Sequence, residues 1–203
     1  MSAHRFCIFI AITLHVYALL CSGFVNGQRL PSYNSAEILQ DIQKLKVDGA
    51  VLYIAAHPDD ENTRLLTYFS KEKLYRTAYL SLTYGEGGQN LIGDEQGRAL
   101  GLIRTEELLA ARRIDGAEQF FSNAEDFGYS KSKEETLQKW NKEQILEQMV
   151  RVIRTFKPNI IITRFPPDKR AGHGHHAASA LLAAEAFDLA ADSTIFIHHF
   201  KEG

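Results

Sequence analysis

Val51-Leu52-Tyr53-Ile54-Ala55-Ala56-His57-Pro58-Asp59-Asp60-Glu61 opens as an unbroken β-prone apolar run and closes on a histidine, a proline and three acids. The run from Val51 to Ala56 has the length and continuity of a strand buried on both faces, as in a parallel sheet. Pro58 has no N–H and a fixed φ, so the ladder ends at or near His57. The acids are thereby placed at the carboxyl end of a strand, where open α/β sheets carry their ligands. Adjacent carboxylates repel one another unless water or a cation stabilises them. A histidine three positions from Asp60, across a proline turn, can bring both groups to one metal ion.

Outward from this stretch, strands and helices alternate. Asn34 with Glu37 forms a capping-box pattern ahead of a helix whose Ile38, Ile42 and Leu45 share a face. A short helix is predicted from Glu61 to about Phe69, and a second strand over Thr77–Thr83, ending in the turn Tyr84-Gly85-Glu86-Gly87-Gly88. Leu102 to Ala111 reads as a helix closed by Gly116, Glu118 to Ser122 as a third strand, and Asn123 to Ser132 as a polar and aromatic loop. One long helix is predicted from about Lys133 to Phe156, stopped by Pro158. Asn159 to Phe165 reads as a fourth, buried strand, Ala177 to about Ala190 as an alanine-rich helix, and Ile195 to Phe200 as a last strand-like run. The alternation predicts an α/β, Rossmann-like doubly wound sheet, mostly parallel, with helices on both faces. No repeat, low-complexity tract or internal linker interrupts it.

The 203 residues are 45% hydrophobic and 24% charged with a formal charge of −2, a balance that carries no nucleic-acid footprint. Arg5, the apolar run Phe6 to Leu20 and the small residues before Gln28 read as a secretory signal peptide over residues 1–27. The run is short for a membrane span, which needs ~20 apolar residues. The expectation is therefore a secreted or periplasmic protein, 28–203, without a stable membrane span after cleavage; a membrane anchor is the alternative. Both cysteines, Cys7 and Cys21, fall in that segment. Any metal in the mature chain must then be held by His, Asp or Glu. Oligomeric state leaves no signal.

Two polar clusters follow buried strands: His57/Asp59/Asp60, and His173/His176 within His173-Gly174-His175-His176. A doubly wound sheet delivers both to the same edge. His57, Asp60 and His176 would supply two imidazoles and a carboxylate, the ligand set of many zinc hydrolases. His173 can then lean over a bound substrate, and Asp59 is left to take a proton from water. The bland alternatives are that Asp59 and Asp60 cap the helix after them, and that the histidine run is a solvated loop. The spacing of Gly85, Gly87 and Gly88 does not supply a dinucleotide fingerprint, and no H-E-x-x-H is present.

Ala56-His57-Pro58-Asp59-Asp60-Glu61, then Leu82 to Gly88, Arg104 with Glu107, and the His173-x-x-His176 pair together resemble the PIG-L/LmbE family of zinc-dependent N-deacetylases. The resemblance covers most of residues 50–190, and the AHPDDE stretch is its most specific part. It implies removal of acetyl from an N-acetylglucosamine-type amino sugar or glycoconjugate, with release of acetate and a free amine. By position it implies one zinc held by His57, Asp60 and His176, Asp59 as general base, His173 at the oxyanion or leaving amine, and Arg104 near the substrate. Ala171 stands where some members carry a tyrosine, so that residue's auxiliary acid role does not transfer. The chain ends at Gly203, sooner after His176 than such domains usually do, and the expectation is a domain short at its C-terminus. The alternative function is a non-catalytic or vestigial carbohydrate-binding protein that retains the metal site.

Overall fold

Alternate side chains of the central strand enter two different cores, and this fixes the layering. The computed structural model describes residues 33–200; the signal-peptide reading of 1–27 lies outside them. Of the described residues, 33–39 belong to one unit and 40–200 to another. Helix α1 (Ser35–Lys44) begins in the first, with the expected box: the Asn34 side chain accepts from the Ala36 and Glu37 N–H groups, and Glu37 accepts from the Asn34 N–H. None of its residues is buried.

In the second unit, β1 (Ala50–Ala55), β2 (Arg76–Ser81), β3 (Glu118–Phe121) and β4 (Ile160–Thr163) form one sheet in the order β3-β2-β1-β4, parallel at every pairing. Leu52 and Ile54 point into a core with Met149, Val150, Ile153 and Phe156 of α5 (Lys142–Phe156) and Leu182, Ala183 and Ala186 of α6 (Gly174–Ala191). Tyr53 and Ala55 point the other way, against Leu66 of α2 (Thr63–Thr67) and Leu108 of α3 (Arg98–Asp115). The α/β, doubly wound architecture is as the sequence predicts. The chain winds from β1 through β2 to β3, then returns to place β4 on the other side of β1. The switch point lies between β1 and β4, where such sheets open a crevice at their carboxyl ends. Among the described residues no helix is long and apolar enough to cross a membrane.

Several boundaries differ from the sequence reading for identifiable reasons. The expected long helix over 133–156 is two, α4 (Lys133–Lys139) and α5, because Trp140 turns extended (ψ 136) and Asn141 caps a new helix by accepting from the Gln144 N–H. Ser132 caps α4 in the same way. The break drives Trp140 into the interior, where its indole N–H donates to the Glu125 carbonyl at 2.8 Å. β4, expected to be buried, has among the described residues a neighbour on one side only, and Ile160 is 51% exposed. The predicted last strand is instead a 3₁₀ turn, Ile197–Phe200. There the Arg154 guanidinium donates to the carbonyls of Leu189, Ala190, Asp192, Ile195 and Phe196, taking acceptors that a ladder would need. α2 starts two residues later than expected and runs on through a π turn, Tyr68–Glu72. Its cap is Asn62, which accepts from the Leu65 N–H. Asp59 and Asp60 are therefore released from the capping role.

Candidate metal centre and cleft

The carboxyl ends of β1, β2 and β4, with the loop after β3, enclose an open cleft of about 400 Å³. His57, Asp59, Asp60, Arg104, His173 and His176 all line it, so the structure brings together every site residue read from the sequence. Each arrives by a local rule. Pro58 ends the strand, and the turn beyond it closes with the Asp60 N–H donating to the His57 carbonyl at 3.3 Å. The turn requires φ 105 at Asp59, a region that side-chain-bearing residues seldom occupy and that clusters at functional sites. Glu61 holds it: one carboxylate oxygen accepts the Asp59 N–H at 3.0 Å and the other accepts from Arg112 of α3 at 3.2 Å. Beneath, the Tyr79 hydroxyl donates to the His57 carbonyl.

His173 is the N-cap of α6, its Nδ1 accepting from the His175 N–H at 3.1 Å. The histidine run is thus a buried helix start and not a solvated loop. The Ser130 N–H also points at His173 Nε2, at 3.3 Å. A neutral imidazole accepts through one nitrogen, so one of these two N–H groups is left for another acceptor. His176, one turn into α6, stacks on Phe165 at 3.7 Å, and its Nδ1 lies 3.2 Å from the Ala171 carbonyl. That bond places the ring proton on Nδ1 and turns Nε2 toward Asp60.

Asp60 ties the two halves together. Its Oδ2 is 3.1 Å from His57 Nδ1 and its Oδ1 is 3.3 Å from His176 Nε2. Ligands on a tetrahedral zinc with bonds of ~2.0–2.1 Å stand ~3.3 Å apart, so these separations fit a shared ion. His57, His173 and His176 also offer nitrogens within 4.8 Å of one another. The His/Asp group is chemically suited to a divalent metal, with His173 and Asp60 both in position to complete the pair of His57 and His176. Burial opposes ionisation of Asp60, yet the His176 and His57 rings that face its two oxygens outweigh it and hold the carboxyl well below the usual range. Burial and the neighbouring His57 and His176 push His173 down to about 4.

Asp59 points to the opposite wall, its Oδ2 3.3 Å from Arg104 Nη2, with 61% of its side chain exposed. Partial desolvation raises its pKa and Asp60 adds to the rise, against the pull of Arg104. An accessible carboxylate with raised basicity is suited to proton abstraction. Arg104 is also 3.7 Å from Glu107 on its own helix.

Two residues in or beside the site were not singled out in the sequence. Asp126, in the loop after β3, lines the cleft, accepts from the Gly128 N–H and packs against Gly87. His175 lies behind His57, its Nδ1 2.9 Å from His57 Nε2. Burial first, then the neighbouring histidines, push it down to about 3. Nothing in a loop sequence marks Asp126, whereas the His173-Gly174-His175-His176 run was a usable signal for His175. Gly87 is where the two loops interlock: a Cβ there would lie 2.2 Å from the Asp126 carbonyl and 2.5 Å from the Gly128 nitrogen. Gly87→Ala is expected to cost about 1–3 kcal/mol by overpacking, read as a fall in denaturant midpoint. An unchanged midpoint would mean that the loops part without cost.

A further cluster, Glu147 with His198 and His199, also places three donors within 4.8 Å. Arg154 lies 3.2 Å from His199 Nδ1 and Arg151 3.7 Å from Glu147, so cations already occupy its surroundings.

Residues 52–187 match the family described as PIG-L: GlcNAc-PI de-N-acetylase. The protein named "Probable N-acetyl-alpha-D-glucosaminyl L-malate deacetylase 2" of Bacillus subtilis (strain 168) is 30% identical over 132 residues, 62% of this chain and 53% of its own. The chain thus spans about half the length of that curated relative. Among solved structures, N,N'-diacetylchitobiose deacetylase from Pyrococcus horikoshii superposes with a TM-score of 0.59 at 18% identity, over 87% of this chain and 66% of that one. The 4-carboxy-2-hydroxymuconate hydratase from Pseudomonas putida KT2440 gives 0.55 at 21%, over 71% and 58%. These structures share the fold and include a deacetylase and a hydratase, so the reaction must be argued from the site.

Proposed function

The chain belongs to the PIG-L, GlcNAc-PI de-N-acetylase family, and from that premise we propose that it is a metal-dependent hydrolase removing acetyl from an N-acetylglucosamine-type amino sugar or glycoconjugate. One observation carries the reading: Asp60 bridges His57 and His176 at metal-ligand separations while Asp59, one residue earlier, faces the same cleft with a free carboxylate edge. His57, Asp60 and His176 would hold zinc or a similar ion, one per chain. Bound there, the ion supplies a Lewis acid for the amide carbonyl and lowers the pKa of water towards ~7.

The chain's own groups do the rest. Arg104 holds Asp59 on the cleft wall, and Glu61 fixes its backbone. Asp59 takes a proton from the attacking water. His173, half-buried on the cleft wall, faces the developing oxyanion, takes over the proton that Asp59 has removed from water and hands it to the departing amine. That proton is one released by the water during the reaction, so protons balance: the amide and water become acetate, a free amine and, at neutral pH, the proton they share. Ala171 contributes its carbonyl to His176, and no tyrosine acts from that position.

The test is acetate release from N-acetylglucosaminyl L-malate and simpler N-acetylglucosamine derivatives by the purified chain, with metal content measured in parallel. About one zinc per chain is expected, with equal amounts of acetate and free amine, loss of both on chelation, and recovery on adding zinc. A folded, metal-bearing chain that binds these sugars without releasing acetate would leave the non-catalytic carbohydrate-binding reading in its place. Export directed by residues 1–27 is part of the same proposal, and is tested by whether the chain is recovered outside the cytoplasm with Gln28 as its first residue.

A further inference from the structure

His175 is the one imidazole of the 173–176 run that does not line the cleft, and its side chain is fully buried. Its ring lies along Trp140, with centroids 5.1 Å apart and planes 26° apart, and meets Phe127 edge to face at 4.3 Å. Its Nε2 is buried without a partner. An unpaired buried nitrogen is destabilising, and an apolar side chain would fill this place among aromatic rings without that penalty. The polar contact that remains is Nδ1 to His57 Nε2, at 2.9 Å. The geometry points to a role exerted through His57.

We infer that His175 is a positioning residue that accepts a hydrogen bond from His57 Nε2–H and thereby reserves His57 Nδ1 for the metal. The inference rests on the metal-centre reading above. His57 Nδ1 faces Asp60 Oδ2 at 3.1 Å. A carboxylate oxygen only accepts, so a bare imidazole lone pair cannot face it without a proton or a cation between them. In the metal-free ring the proton stands on Nδ1. Once Nδ1 is a ligand the ring's proton moves to Nε2, and the acceptor the structure places there is His175 Nδ1. Ligand histidines characteristically donate their second N–H to a fixed acceptor, which sets both tautomer and ring orientation. The nearest carboxylate to His175, that of Asp126, is 3.8 Å from its Nδ1 and too far to compete for it. The break between α4 and α5 completes the arrangement, since it sets Trp140 alongside the ring.

Zinc affinity of the full chain, measured by competition with a chromophoric chelator, tests this in the parent, His175→Phe and His175→Asn. Phenylalanine keeps the packing on Trp140 and removes the acceptor, and zinc is expected to bind 10–100-fold more weakly, roughly the loss typical of such outer partners. Asparagine places an oxygen near the site of Nδ1 and is expected to restore most of the affinity. Equal affinity in a folded His175→Phe variant would overturn the inference while leaving the metal centre standing. A parent chain that binds no zinc would overturn the metal-centre reading itself. Nitrogen NMR of the zinc-loaded parent decides the matter without any variant. His57 protonated at Nε2, with coupling across to His175 Nδ1, is the expected result; a proton on His57 Nδ1 would sink it.

Discussion

Replacing Asp59 with asparagine is expected to lower kcat for acetate release by about 10²–10⁴-fold, the usual contribution of a positioned general base. Metal content and thermal midpoint are expected to stay at parent values. Asparagine is the informative choice because it keeps the side-chain shape and tolerates positive φ better than most residues, so the φ 105 turn is not disturbed. The Asp59 side chain is largely solvent-facing, and its ion pair with Arg104 at 3.3 Å is too exposed to matter much for stability. A loss of kcat with metal retained therefore isolates the proton-transfer role. Full activity in this variant would remove Asp59 as the base and leave water activation to other groups in the cleft.

Arg112→Ala is expected to give the largest stability loss. Arg112 is 5% exposed and donates to Asp115 at 2.6 Å, to Glu61 at 3.2 Å and to Gln119 at 3.1 Å. Its guanidinium also lies 5.6 Å from the centre of the Tyr79 ring, and Tyr79 supports the His57 carbonyl. Removing it leaves two buried carboxylates without their cation, a change worth about 3–5 kcal/mol. In a domain of this size that corresponds to a fall in Tm of roughly 6–20 °C, at ~2–4 °C per kcal/mol. The contrast is Lys142→Ala, which removes an ion pair of similar length, 2.8 Å to Glu185, with both side chains more than a third exposed. That pair is worth about 0–1 kcal/mol. Equal shifts in the two variants would show that burial does not set the worth of the Arg112 network. Because Glu61 also holds the Asp59 N–H, Arg112→Ala is expected to lower kcat even where the protein remains folded.

Much of the site was legible in the sequence because its chemistry is local. Six consecutive apolar residues, a proline and an Asp-Asp pair determine a strand, its stop and a turn of carboxylates without help from the rest of the chain. The alternation of strands and helices then determines a parallel sheet, and a parallel sheet sends its strand ends to one edge, so His57 and His176 could be expected to meet. Legibility failed where a distant contact overrode a local pattern. The helical period runs unbroken through Trp140, and only burial of the indole against Glu125 and His175 makes a break there favourable. The run Ile195–Phe200 is strand-like by composition, but Arg154 claims the carbonyls around it. β4 reads as buried by its isoleucines, and in the order β3-β2-β1-β4 the described residues give it one neighbour.

The sequence by itself thus determined the fold class, the capping box at Asn34 and six of the groups that reach the cleft, since each depends on neighbours a few residues away. Tertiary structure alone decided which of those groups touch. Asp60 against His176, Glu61 against Arg112 and His175 behind His57 are distances of about 3 Å across long stretches of chain. Hydrogen bonds and metal coordination fade within a fraction of an ångström of their optimum, and no pattern of residue types along a chain carries that precision.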